Sequence, residues 1–172
     1  MIYKFNSLFV TLFGIGRISK IPGSIASLVT IIFLFFIFQI LDLAPDLVLI
    51  CLIVIFFVSL YSINQFIKNK ENKDPKEIVI DEFIGQSIPC LWICYKLKVY
   101  GMLGTVASPP LLQSIIPFLI AFVSFRFFDI LKPFPINMID KKIKNGFGVV
   151  FDDVVAGVFA AIITHLLLSL IY

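Results

Sequence analysis

Histidine and cysteine are scarce in this chain of 172 residues, which contains one histidine and three cysteines. No cysteine belongs to a C-x-x-C pair or has a histidine nearby, so the sequence gives no sign of a zinc site or a disulfide framework. Cys51, Cys90 and Cys94 all lie in apolar runs, where they are expected to be small buried hydrophobic residues. His165 lies well inside the last apolar run and is expected to pack between helices.

Charged residues are also few. They make up 15% of the chain, hydrophobic residues make up 60%, and the mean hydropathy is +1.05. One small soluble core cannot bury that much apolar surface, so this composition excludes an ordinary soluble domain. The sequence predicts an all-α integral membrane protein, a polytopic bundle of transmembrane helices that forms one domain over residues 1–172.

Five apolar runs are long enough to cross a bilayer, which takes about 20 residues. They span residues 24–41, 46–67, 83–105, 113–131 and 149–171. The third run is interrupted by Lys96 and Lys98 and followed by glycines and prolines, so a re-entrant segment is the alternative there. The opening stretch MIYKFNSLFVTLFGIG has only Lys4 as a positive flank and no A-x-A-like cleavage site, so we expect it to be retained.

Basic residues are concentrated on one side of the predicted membrane. With five crossings, residues 1–23, 68–82 and 132–148 share a side, and they hold every Lys and Arg except Lys96, Lys98 and Arg126. The positive-inside rule makes that side cytoplasmic and places the N-terminus inside. Because these basic residues lie in short loops, they indicate membrane topology and no nucleic-acid partner.

Acidic residues gather at the same cytoplasmic boundary. The stretches IVIDEFIG and VVFDDVVAG echo each other, with three apolar residues, two acids, and a glycine within a turn. Each paired acid could simply begin a helix, where the macrodipole and N-capping favour it, and Arg126 and Asp129 could pair with each other three residues apart. The five acids are Asp81, Glu82, Asp129, Asp152 and Asp153.

As a group, these acids exceed what helix starts require. A charge at the centre of a spanning helix costs roughly 2.5–3.5 kcal/mol, and ionisable residues in membranes tend to line functional sites. Carboxylates that converge with few basic partners repel each other and favour a divalent cation. Ligands that are all oxygen point to Mg²⁺ or a similar hard ion, and magnesium suggests phosphate chemistry.

Other residues supply groups that a phosphate would need. Arg126 offers a planar, permanently charged fork, and Lys132 follows closely in the stiff sequence KPFP. Near the N-terminus, glycines surround Ser24 just before the first membrane run, and a glycine-rich turn leading into a helix can present N–H groups to an anion. That turn lacks the P-loop pattern, and a flexible loop is the simpler interpretation of its spacing.

Four stretches together resemble the successive motifs of the phosphatidylglycerophosphatase A family, in the same order and spacing. They are FGIGRISKIPGSIAS, DEFIG, FRFFDILKPFPINMID and GFGVVFDDVVAG, and they cover the chain from about Phe13 to Gly157. The resemblance implies a Mg²⁺-dependent lipid phosphatase of the bacterial inner membrane, with its active site facing the cytoplasm. Its lipid substrate would be phosphatidylglycerophosphate, converted to phosphatidylglycerol and inorganic phosphate.

The resemblance also implies roles for individual residues. Departures from the family pattern are Ser24 for a usual threonine, Ala26 and Asn145 for usual glycines, and Ile15 for a small polar residue. Arg17 and Lys20 have no counterpart in the motifs. The implied catalytic and metal-binding residues are Asp81, Glu82, Asp129, Asp152 and Asp153, and the implied phosphate-binding residues are Arg126, Lys132, Ser24 and Gly23.

The expected mechanism is in-line attack by water on the phosphorus, with one carboxylate as general base. The sequence does not decide between one metal ion and two, and a covalent phospho-aspartate is the alternative to direct attack by water.

A small transporter or channel with an acidic ion site on the cytoplasmic side is the main alternative function, although runs 24–41 and 46–67 have almost no polar groups near mid-membrane. A nucleotide-dependent lipid phosphotransferase would need a D-G-x-x-A-R run, which is absent. A purely structural membrane subunit is the remaining class.

Overall fold

The structure, a computed structural model, describes residues 2–18, 20–68, 70, 72, 75–99 and 111–171. Within these ranges the chain forms eight α-helices and no β-strand, which confirms the all-α prediction. The helices are α1 (Ile2–Val10), α2 (Ile15–Ile18), α3 (Pro22–Gln39), α4 (Pro45–Ile67), α5 (Ile80–Val99), α6 (Leu111–Leu131), α7 (Ile136–Lys142) and α8 (Gly146–Ile171).

Three helices in the described part of the chain are long and apolar enough to cross a membrane. They are α3, α4 and α8, with 18, 23 and 26 residues. Helices α3 and α4 both begin with proline, whose fixed φ suits a first helical position and whose missing N–H loses no helical hydrogen bond there. Their outer faces carry large exposed apolar side chains, such as Ile32, Ile50 and Phe57, which suit contact with lipid.

The predicted third and fourth runs correspond to α5 and α6, of 20 and 21 residues. Helix α5 is continuous from Ile80 to Val99, and the rest of the predicted third run lies outside the described residues. The predicted start of the fifth run, residue 149, is late by three residues because α8 begins at Gly146.

Helices α5 and α8 form the centre of the bundle. Helix α8 packs against α4, α5, α6 and α7, while α5 also contacts α3, α4 and α6. The two cross where glycines replace side chains: a Cβ added to Gly157 would lie 2.3 Å from the carbonyl oxygen of Gly85, and one added to Gly85 would lie 2.6 Å from that of Asp153. Glycine therefore lets these two backbones touch one another.

The segment before α5 is held in place from several sides. The backbone N–H of Val79 donates to the carbonyl of Val10 at the end of α1, over 2.9 Å. Glu77 forms ion pairs with Arg17, over 2.9 Å, and with Lys70. Partial burial acts to raise the pKa of Glu77, but hydrogen bonds from Lys70 and Arg17 outweigh it and lower that pKa below its usual 4.5. These contacts fix the entry into α5.

Candidate active site

The four paired acids occupy different helical positions in α5 and α8. Asp81 and Glu82 lie in the first turn of α5, as predicted. Asp152 and Asp153 are the seventh and eighth residues of α8, so the expectation that they begin a helix is wrong. The helix starts earlier because Asn145 acts as its N-cap, where its Oδ1 accepts a hydrogen bond from the N–H of Gly148 at 3.0 Å. Capping therefore does not explain Asp152 or Asp153, which are both 4% exposed.

The α5–α8 crossing brings three of these acids together. Oxygens of Asp81, Glu82 and Asp153 lie within 4.8 Å of one another. Asp81 and Asp153 each precede a crossing glycine, Gly85 or Gly157, by four residues, which is about one helical turn. The two stretches that echo each other therefore do meet at this crossing, but with a shift of one residue, since Asp81 is the first acid of its pair and Asp153 is the second acid of its pair.

This cluster has the chemistry of a site for a hard cation. Its donors are all carboxylate oxygens, which Mg²⁺ prefers. The Oε2 oxygen of Glu82 is buried and has no hydrogen-bond partner among the described residues. A buried carboxylate oxygen without a partner is costly, and a cation between the three groups would relieve both that cost and their mutual repulsion. The residues present therefore fit a magnesium ion.

Arg126 and Asp129 lie beside the cluster near the end of α6. The Arg126 Nη1 atom and the Asp129 Oδ2 atom are 2.6 Å apart, so these residues do form the i, i+3 pair that their spacing predicts. Arg126 Nη1 also donates to the hydroxyl of Ser27 on α3, over 3.4 Å, while its buried Nε has no hydrogen-bond partner among the described residues. The guanidinium thus keeps a donor for another acceptor.

Gly23 lets the start of α3 approach these groups. A Cβ at this position would lie 2.2 Å from Oε1 of Glu82 and 3.4 Å from Nη1 of Arg126. Any side chain at this position would displace Glu82. This close approach is the physical requirement for glycine here, and it places Ser24 at the edge of the same site.

Lys132 follows α6 and points back toward α8. Its ammonium lies 2.6 Å from Oδ2 of Asp152 and 3.4 Å from Oδ1 of Asp140 on α7. Partial burial acts to lower the pKa of Lys132, but the hydrogen bond to Asp152 and the negative charges of Asp152, Asp153 and Asp140 raise it above the usual 10.5. Sequence reasoning missed Asp140, because nothing in the motif that contains it indicates that α7 folds back onto Lys132.

A single cavity of about 390 Å³ unites these groups. All nine candidate residues from the sequence line it: five acids, two cations and the Gly23–Ser24 pair. The cavity also has two lysines that sequence reasoning did not assign to the site, Lys20 and Lys76. Arg17 is not part of the lining and pairs with Glu77 instead.

Comparison with known proteins gives consistent results. The chain is 35% identical over 151 residues to a phosphatidylglycerophosphatase A of Haemophilus influenzae, a match that covers 88% of this chain and 81% of that protein. It is 33% identical over 104 residues to the Escherichia coli protein of the same name, covering 60% of this chain and 51% of that one. A putative phosphatidylinositol-3-phosphatase of Bacteroides thetaiotaomicron is 31% identical over 113 residues, which cover 65% of this chain and 60% of that protein.

No solved structure gives a significant match to this chain. The family model for phosphatidylglycerophosphatase A matches residues 8–168, which is nearly the whole chain and includes every residue of the cavity described above. The chain therefore belongs to the phosphatidylglycerophosphatase A family.

Proposed function

We propose that this protein is a Mg²⁺-dependent phosphatase that hydrolyses phosphatidylglycerophosphate to phosphatidylglycerol and inorganic phosphate. The names of two relatives support the substrate and reaction. The observation that carries the proposal is the convergence of Asp81, Glu82 and Asp153 beside Arg126 and Lys132 in one cavity. This arrangement offers oxygen ligands for a metal next to cations for a phosphate.

The five acids divide into two groups by their partners. Asp81, Glu82 and Asp153 would hold Mg²⁺, since their oxygens lie together and one of those of Glu82 has no hydrogen-bond partner among the described residues. Asp129 and Asp152 contact Arg126 and Lys132, and we assign them the role of positioning these cations; Asp129 also forms a side-chain hydrogen bond with Asp153. When bound, Mg²⁺ supplies Lewis acidity toward a phosphate oxygen.

The chain's own residues then perform the remaining steps. Arg126 and Lys132 bind phosphate oxygens and stabilise the charge that spreads over them as the reaction proceeds. The raised pKa of Lys132 keeps its ammonium charged, so it acts as a fixed cation and not as a proton donor. A carboxylate of the cluster accepts a proton from the attacking water, the bond between phosphorus and the glycerol oxygen breaks, and that oxygen takes up a proton.

The substrate class is defined by two phosphates. Phosphatidylglycerophosphate carries a phosphomonoester, which is cleaved, and a phosphodiester that joins the head group to the diacylglycerol. The substrate in the name of the Bacteroides relative, a phosphatidylinositol 3-phosphate, has the same two groups on a different polyol. The common chemistry of these names is a lipid with both a phosphomonoester and a phosphodiester, and we assign this class to the present chain.

We further propose five membrane crossings, by α3, α4, α5, α6 and α8, in a bacterial inner membrane with the cavity facing the cytoplasm. The cavity takes residues from the beginnings of α3, α5 and α8 and from the end of α6, so these ends share one side. The end of α4 joins them, because Asn64 Oδ1 accepts a hydrogen bond from the N–H of Gly146 at 2.8 Å. Helices α3, α5 and α8 thus begin on this side and α4 and α6 end on it, as five antiparallel crossings require.

The test is phosphate release from phosphatidylglycerophosphate by the purified protein in detergent. We expect release with Mg²⁺, none with a chelator, and a loss of at least about 100-fold for Asp153→Asn. Asp46→Asn is the matched control, because Asp46 is exposed in the first turn of α4, where it accepts a hydrogen bond from Tyr95. Full activity in chelator would exclude the metal, and full activity of Asp153→Asn would exclude this site. A folded wild type that releases no phosphate would refute the function and favour the transport alternative.

A further inference from the structure

Two lysines line the cavity without belonging to the catalytic group. Lys20 lies two residues before α3, and Lys76 lies four residues before α5. Both side chains are exposed, whereas the carboxylates of Asp81 and Asp153 are buried. The lysines therefore occupy the accessible part of the cavity, away from the buried acids.

These lysines differ from the other cations of this region in their partners. Arg126 pairs with Asp129, Lys132 pairs with Asp152 and Asp140, and Arg17 and Lys70 both pair with Glu77. Within the part of the chain that the structure describes, no ion pair involves Lys20 or Lys76. Their positive charge is available to a ligand in the cavity.

The start of α3 adds to this positive side. No side chain among the described residues caps this 18-residue helix, and Pro22, Gly23 and Ser24 of its first turn line the cavity beside Lys20. The N-terminal end of a helix carries partial positive charge on its N–H groups. The cavity thus combines two exposed lysines with the N-terminus of a neighbouring helix, which is an arrangement suited to a second anion.

We propose that Lys20 and Lys76 bind the phosphodiester of the lipid substrate and thereby select lipids that carry two phosphates. This inference rests on the proposed function, in which Arg126 and Lys132 bind the phosphomonoester. A substrate with a polyol between its two phosphates then places the second phosphate in the same cavity, at cations that have no acidic partner among the described residues. A lipid with only a phosphomonoester gains nothing from these lysines.

The kinetic test compares phosphatidylglycerophosphate with phosphatidic acid, whose single phosphate is a monoester. The variants are Lys20→Gln, Lys76→Gln and the double variant, assayed in neutral detergent micelles so that surface charge does not attract the lipid. We expect the double variant to raise KM for phosphatidylglycerophosphate about tenfold, with kcat and the rate on phosphatidic acid nearly unchanged. An equal loss on both lipids, or no loss on either, would overturn the proposal.

Product inhibition gives an independent measurement. Phosphatidylglycerol carries only the phosphodiester, while inorganic phosphate resembles only the cleaved group. We expect the double variant to weaken inhibition by phosphatidylglycerol about tenfold and to leave inhibition by inorganic phosphate unchanged. If both inhibitors weaken equally, the lysines act on the cleaved phosphate, and the proposal is wrong.

A matched control separates specific contact from general attraction. Lys141 and Lys142 are exposed on α7 and do not line the cavity, so the double variant Lys141→Gln/Lys142→Gln removes the same charge elsewhere. It should behave as wild type, and an equal effect of this control would overturn the proposal. Failure of the proposed function would appear as an inactive wild type, whereas failure of this inference would appear as an active wild type with insensitive Lys20 and Lys76 variants.

Discussion

Lys132 combines a site cation with a backbone conformation that L-residues rarely adopt. Its φ is +42°, in the left-handed region, directly after the last residue of α6. Such a position at a helix end usually belongs to glycine, because a Cβ there costs roughly 1–2 kcal/mol. The following Pro133 helps to end the helix and makes the chain turn here. We interpret the strained lysine as a functional requirement, since from this turn its side chain reaches both Asp152 and Asp140.

This interpretation predicts different stability for two variants that lack the ammonium. Lys132→Gly and Lys132→Ala both lose the contact with Asp152, so both should lose activity to the same extent. Glycine removes the backbone strain as well, and we expect Lys132→Gly to be more stable than Lys132→Ala by about 1 kcal/mol. Thermal unfolding in detergent measures the difference, and phosphate release measures activity. Equal unfolding temperatures would mean that the left-handed turn is absent.

At the scale of helices, the crossing of α5 and α8 determines whether the acids meet. Gly85 and Gly157 let the two backbones touch, and one turn before them Asp81 and Asp153 face each other. A Cβ at Gly157 would lie 2.3 Å from the carbonyl oxygen of Gly85, which is a backbone atom and cannot rotate away. The helices would have to separate, and the carboxylates would separate with them.

We therefore expect Gly157→Ala to reduce activity more than its effect on stability explains. Overpacking at this crossing should cost about 1–3 kcal/mol of stability, while displaced carboxylates should lower phosphate release about 100-fold and raise the Mg²⁺ concentration needed for half-maximal rate. Ser169→Ala, an exposed change in the same helix, is the control. A Gly157→Ala protein that is less stable but fully active per folded molecule would contradict this account.

The all-helical content and the approximate positions of the apolar helices could be predicted from sequence, but the residue at which each helix begins could not. Apolar runs located α3 to α6 and α8 within a few residues, and the four motifs named all nine candidate residues that line the cavity. The pairs at residues 81–82 and 152–153 look alike in sequence, yet only Asp81 and Glu82 begin a helix. The difference depends on one N-cap, Asn145, with which α8 begins three residues before the predicted start.

Sequence reasoning missed three residues whose orientation depends on the tertiary structure. Lys20 and Lys76 lie in loops and Asp140 lies in the short helix α7, and nothing in the local sequence fixes which way these side chains face. Their places depend on tertiary contacts, such as the Val79–Val10 hydrogen bond before α5 and the return of α7 toward Lys132. Long-range contacts of this kind cannot be predicted from one sequence by periodicity.

For the whole molecule, polar function is concentrated at one end of an apolar bundle. The cavity, its acids and its cations lie where α3, α5 and α8 begin and α6 ends. Beyond this end, the outer faces of α3, α4 and α8 are apolar. A lipid that remains in the membrane can thus present its head group to the cavity while its acyl chains stay beside these apolar faces, which suits a phosphatase whose substrate and product are both lipids.

The proposed orientation gives a prediction for the intact cell. With five crossings and a cytoplasmic cavity, the loop between α3 and α4 lies outside, whereas α7 lies inside. Ala44→Cys and Lys142→Cys place a thiol at exposed positions in these two segments, in a Cys51→Ala background that removes the exposed native cysteine. A membrane-impermeant maleimide should label Ala44→Cys in intact spheroplasts and label Lys142→Cys only after permeabilisation. If both thiols are labelled from outside, α7 lies on the same side of the membrane as the α3–α4 loop, and the three proposed crossings between them, α4, α5 and α6, are excluded. If instead Lys142→Cys is labelled in intact spheroplasts and Ala44→Cys only after permeabilisation, the cavity does not face the cytoplasm.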